Sequence, residues 1–141
     1  EAKAAREEAA AQIAADPKMA EDGYRRMKWN EAVLKKSEMQ KLKENQTTDI
    51  EVHVVRLGDA AICTNPFELF TEFGIGMKAR SPAVQTFVIQ LTGNGGYVPT
   101  ERAAQGGGYS AIIQSNHVGP EGGRVLVDET VKMLDAAWGK R

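Results

Sequence analysis

Two acidic side chains and two tyrosines are placed where they could do chemistry. Glu68 and Glu72 stand four residues apart, one turn of a helix. Tyr97 and Tyr109 stand twelve apart, inside GNGGYVPTERAAQGGGY from Gly93 to Tyr109. Six of the chain's 14 glycines lie between Gly93 and Gly108. Glycine is tolerated where the backbone needs positive φ or another group must come close, and a long loop without apolar periodicity is more often functional or disordered than filler. Glycine amides could cradle a phosphate, though with little specificity. The two carboxylates could equally be solvated residues favoured by a helix dipole. Thr100 belongs to the same loop, and His117 precedes the last helix. His53 lies on the polar face of a strand, where a lone histidine is usually solvated. The chain has no paired histidines, cysteine pair, Walker loop or Ser-His-Asp order, and GNGGY lacks the spacing of a dinucleotide fingerprint.

The elements that must position these residues follow from composition and period. With 141 residues the chain is one domain by length, large enough to bury a core. A net charge of −1 gives no electrostatic case for nucleic acid. Arg25, Arg26 and Lys28 beside Trp29 are interleaved with Glu21, Asp22 and Glu31, which reads as a solvated helix face. No apolar run approaches the roughly 18 residues of a membrane span. Cys63, the single cysteine, sits in the apolar run AAIC and reads as a buried small residue. The chain opens without Met inside a helical pattern, as a piece of something longer would.

Residues 1–46 hold 19 of the 37 charged side chains but one glycine and one proline, so they read as a helical segment. Ala2 to Ala15 is made of good helix formers with little to bury apart from Ile13, and is expected to fray or to pack on a missing part. Asp16-Pro17 breaks and restarts the helix, and Met19 to Leu42 forms one or two more. After the turn Asn45 to Asp49 the period becomes two. Ile50, Val52 and Val54 make a strand, Gly58-Asp59 a tight turn, and Ala60 to Thr64 the second arm of a hairpin.

Asn65 and Pro66 suit a helix start, with Phe67, Phe70, Phe73 and Met77 on its buried face and Glu68 and Glu72 in its first turns. Thr86 to Leu91 is a third strand. Ser110 to Gln114 is a short strand or a packed loop. Pro120 opens a last helix whose apolar positions are Val125, Val127, Val131, Leu134 and Trp138. The expected class is α/β, with α+β as the alternative: a small mixed sheet flanked by helices, in residues 47–141, after the helical segment 1–46.

With these blocks in order, the chain from about Asp49 resembles the neutral/alkaline non-lysosomal ceramidase family, zinc-dependent amidases that cleave the N-acyl bond of ceramide. The resemblance is carried by IEVHVVRLGDAAICTNP, by Glu68 to Gly74, by TFVIQLTGNGGYVPTERAAQGGGY and by PEGGRVLVDETVKML. It implies that Glu68 and Tyr97 are zinc ligands, Tyr97 through its Tyr-Val-Pro-Thr motif, and that Tyr109 donates to an oxyanion. Two further zinc histidines and the catalytic serine belong to earlier segments of the family, and neither His53 nor His117 lies in those motifs. Pro66-Phe67-Glu68 stands where the family has Pro-Gly-Glu. The chemistry suits these residue types. Zinc brings the pKa of bound water to about 7, a carboxylate is a normal ligand for it, and a tyrosine near pKa 10 needs the metal's charge to ionise. The resemblance implies a lipid-like or other N-acyl amide substrate, the rest of its own polypeptide as partner, and inactivity of these residues alone. It leans toward a secreted or extracytoplasmic setting. Two other readings stay open: a domain whose glycine loop binds a ligand or partner without metal, and a remnant that kept the fold and lost the chemistry.

Overall fold

A computed structural model of the protein describes residues 1–16, 18, 20–42 and 47–139. Pro17, Met19 and the start of the expected turn at Asn45 and Gln46 lie outside them. The chain divides into two units, Glu1–Asp49 and Ile50–Arg141.

The first unit holds two helices, α1 (Ala2–Ala15) and α2 (Ala20–Gln40), which pack against each other. α1 therefore does not lack a packing partner. Its small side chains are what let α2 come close: Ala9 is fully buried, and a Cβ on Gly23 of α2 would fall 2.5 Å from Ile13 Cγ1 and 3.3 Å from the Ala9 carbonyl. An alanine-rich face that looks empty in sequence is thus a contact surface. The expected solvated face of α2 is present, with Arg25 beside Glu21 and Asp22, and Lys28 on Glu31 at 3.0 Å.

The second unit is built from β1 (His53–Leu57), β2 (Ala60–Thr64), β3 (Glu68–Leu69), α3 (Thr71–Arg80), β4 (Gln85–Ile89), β5 (Tyr97–Val98), α4 (Glu101–Gly106) and α5 (Pro120–Ala137). A 3-10 turn, Tyr109–Ala111, follows α4. It takes the place of the strand considered for Ser110 to Gln114. β1 and β2 form the expected hairpin, antiparallel with Leu57 opposite Ala60, and Gly58 at φ +61° makes its two-residue turn. β4 joins β2 in parallel, giving the order β1-β2-β4, a small mixed sheet flanked by helices.

Period two decides what the sheet buries. Val54, Cys63 and Val88 are in register across it and turn toward α3 and α5, as do Ala61 and Thr86. Val55, Ile62 and Phe87 are in register on the other face, where Val55 and Phe87 are exposed. Burial pushes the Cys63 thiol up to about 11, the environment of an inert structural cysteine.

The main core joins Phe67, Leu69, Phe73, Met77, Val98, Leu126, Val127 and Val131. Fully burying one such side chain is worth roughly 1.5–3 kcal/mol. α5 contributes Leu126 rather than the expected Val125, which is exposed, because Leu126 continues the 4-residue row to Thr130 and Leu134. The Arg56 guanidinium lies 4.4 Å from the Trp138 ring centroid and donates to the Ala137 carbonyl, tying the hairpin to the end of α5.

Candidate functional site

The helix expected from Pro66 begins five residues later, and that correction builds the site. Asn65 is buried and its side chain accepts from the Phe67 N–H at 3.0 Å, so it closes a local turn instead of capping a helix. Glu68 to Phe70 then run extended, because their backbone groups are claimed from both sides. The Glu68 N–H donates to the Gly96 carbonyl at 2.9 Å and the Phe70 N–H to the Val98 carbonyl at 3.2 Å. The Leu69 N–H turns the other way, to the Gln90 side chain, while the Leu91 N–H reaches back to the Phe67 carbonyl at 3.1 Å. Leu91 holds φ +58°, a left-handed conformation uncommon for such a residue, where the chain leaves β4 for the glycine loop. Only Glu72, not Glu68, lies in the first turn of α3.

β3 and β5 pair in parallel, Glu68 opposite Tyr97 and Leu69 opposite Val98. Side chains alternate across a strand. Leu69 and Val98 enter the core, so Glu68 and Tyr97 meet on the opposite face. The Glu68 carboxylate, as an acceptor facing the Tyr97 hydroxyl, then partial burial and the charges of Glu68 and Tyr109, raise the Tyr97 pKa above the usual phenol value. The Tyr109 ring stands edge-on to Tyr97, with centroids 6.1 Å apart and planes at 78°, within the range of favourable aromatic pairs. Tyr109 opens the 3-10 turn and is 63% exposed.

The stretch from Gly93 to Tyr109 is consequently not a structureless loop; β5, α4 and the start of the 3-10 turn all lie in it. Thr100 caps α4, its hydroxyl accepting from the Ala103 N–H at 3.3 Å. Glu72 pairs with Arg102 at 2.7 Å. Glu72, Thr100 and Arg102 line a shallow cavity of about 360 Å³ with Phe70, Thr71 and Ala103. His117 is exposed, and its Cδ2 lies 3.3 Å from the point a Cβ on Gly96 would occupy. His53 is elsewhere, its ring between Glu51 at 3.2 Å and the Thr64 hydroxyl at 3.1 Å.

Glu68, Tyr97 and Tyr109 are thus brought together, His117 is set against the backbone beside Tyr97, and Glu72 and Thr100 face the cavity. Sequence reading missed Arg102 and Asn116. Arg102 had no spacing to mark it, and Asn116 stands in the stretch NHVGPEGG, Asn116 to Gly123, as one polar residue of a glycine-rich turn. As a zinc site the cluster supplies two oxygen donors, one carboxylate and one phenol, of the four that zinc usually takes. Among the described residues no group of three or more His, Cys, Asp or Glu could hold a metal ion. The donor types fit; Tyr97, whose pKa is raised, would have to give up its hydroxyl proton. No family model, curated protein or solved structure matches the chain.

Proposed function

We propose that residues 50–141 are the C-terminal part of a ceramidase-like zinc amidohydrolase acting on an N-acyl amide, in which Glu68 and Tyr97 supply half of the metal's ligands and Tyr109 stabilises the transition state. The observation that carries this reading is the Glu68–Tyr97 pairing, two residues 29 positions apart held in register on one face of a parallel strand pair. Zinc, when bound, lowers the pKa of water and polarises a carbonyl. The chain's own residues do the rest. Glu68 sits on a strand fixed through both its edges, so its backbone is held before any ligand arrives. Tyr109 offers a hydroxyl beside Tyr97, and a donor positioned in advance at a developing oxyanion is worth about 2.7–4 kcal/mol of barrier. The reading requires the remaining donors to come from outside these residues, and it gives residues 1–141 alone no hydrolytic activity.

The test is metal analysis and amide hydrolysis by the full-length natural polypeptide. Stoichiometric zinc, lost together with activity in Glu68→Ala, is expected. Full-length protein that takes up no zinc sinks the reading and leaves a non-catalytic ligand- or partner-binding domain in its place.

A further inference from the structure

Tyr97 and Tyr109 belong to different short elements, and neither element is long enough to be stable unaided. β5 has two residues, and the 3-10 turn has three, with Ala111 its buried member. Their edge-on contact therefore needs something that fixes one segment to the other. Asn116 touches both. Its backbone bridges Gly96 and Tyr97. Its side-chain Nδ2 donates to the Ile112 carbonyl at 2.8 Å, and Ile112 is the residue that closes the Tyr109 turn. The Ser115 N–H donates to the same carbonyl at 2.9 Å, so the segment from Ile112 to Asn116 is folded back on itself. The 3-10 turn itself is closed by the Ala111 N–H, which donates to the Gly108 carbonyl at 2.8 Å.

We infer that Asn116 is a positioning residue, whose side-chain amide ties the Tyr109 turn to the strand that carries Tyr97 and so sets the angle between the two rings. The chemical argument is specific to asparagine. The group facing Asn116 is a carbonyl, so a donor is required. Aspartate has the same shape and offers oxygens where the donor must be. Its functional meaning, an oxyanion donor held over a metal ligand, rests on the reading proposed above; the geometric statement does not.

The experiment uses the 141-residue chain with isotopically labelled tyrosine rings. The wild-type chain should show cross-ring NOEs between Tyr97 and Tyr109. Asn116→Ala and Asn116→Asp should both lose them while far-UV circular dichroism and the Glu68 and Phe70 amide signals of the β3–β5 pair persist, a loss that a general packing role would not confine to one ring contact. Ring NOEs retained in both variants overturn the inference. Should either variant unfold, the wild-type chain still decides: an Asn116 side-chain amide protected from solvent exchange supports the inference, and one exchanging as freely as an exposed asparagine overturns it. None of these readouts involves zinc, so a full-length protein without metal would end the proposed function and leave the Asn116 result standing.

Discussion

The two glycine clusters that flank the tyrosines look alike in sequence and behave oppositely in the fold. In Gly93 to Gly96 each glycine is pressed against a neighbour. A Cβ on Gly95 would lie 2.3 Å from Phe67 Cδ1 and 2.9 Å from the Pro66 carbonyl, and Gly96 holds φ +69° under the His117 ring. In Gly106 to Gly108 no atom lies within 4 Å of a built Cβ at any of the three positions. The first cluster is a packing solution that lets β5 lie down on the chain entering β3, and so fixes Tyr97 on Glu68. The second is the end and cap of α4, in open space ahead of an exposed Tyr109. A packed glycine cluster before Tyr97 and an open one before Tyr109 make a physically different object from one uniform glycine loop.

Breaking the first cluster should therefore cost most. Gly95→Ala drives a methyl into Phe67, a buried member of the main core, and into a backbone oxygen that cannot turn aside. Overpacking of this kind costs about 1–3 kcal/mol. For a unit of this size that lowers Tm by roughly 4–8 °C per kcal/mol. Gly96→Ala meets a smaller penalty, about 1–2 kcal/mol, for a non-glycine residue in the left-handed region. Thermal unfolding followed by circular dichroism measures both. A Gly95→Ala melt within a degree of wild type would erase the distinction between the clusters.

How much of this was legible in the sequence depends on the range over which each element is decided. The β1–β2 hairpin is local: the apolar residues on either side of Gly58-Asp59 carry the two arms and the turn, although β1 starts at His53, leaving Ile50 and Val52 ahead of it. α3 was misplaced at its start because Asn65-Pro66 has the letters of a helix cap. The competing claim on the Phe67 to Phe70 backbone comes from Gly96, Val98 and Gln90, more than twenty residues on. The same long-range pairing made the site. Glu68, Tyr97 and Tyr109 were picked out by motif spacing and resemblance, whereas the parallel register that joins Glu68 to Tyr97 has no signature in either segment alone. α1 shows the reverse error, since low hydrophobicity hid a helix contact that needs small side chains rather than apolar ones.

The chemistry of the packed side gives a second, smaller effect. The Glu68 carboxylate, as an acceptor facing the Tyr97 hydroxyl, favours the neutral phenol and raises its pKa above the usual value. A folded-state pKa raised in this way stabilises the fold below the ordinary phenol pKa of about 10. The contribution is lost as pH rises through the raised value. Wild-type protein should accordingly lose stability at strongly alkaline pH in a step that Tyr97→Phe lacks. Glu68→Gln, which removes the charge and the acceptor strength, should bring the Tyr97 absorbance titration down. An unchanged Tyr97 midpoint in Glu68→Gln would show that the carboxylate does not hold the phenol.

The smallest effect is expected at the open cluster, and it is the sharpest control for the comparison. Gly106 is the last residue of α4, and a Cβ there would enter empty space. Alanine is favoured over glycine within a helix by up to about 1 kcal/mol. Gly106→Ala should leave Tm unchanged or raise it slightly, even though it alters the same kind of residue, in the same stretch, as Gly95→Ala. It should also leave the Tyr97–Tyr109 ring contact in place, because that contact is set from the far side of the 3-10 turn, at Ile112 and Asn116, rather than by the glycines that lead into it. If Gly106→Ala instead lost the ring contact while keeping its stability, the approach from α4 would be setting the position of Tyr109, and a glycine at the end of α4 would be a requirement of the contact rather than slack beside it.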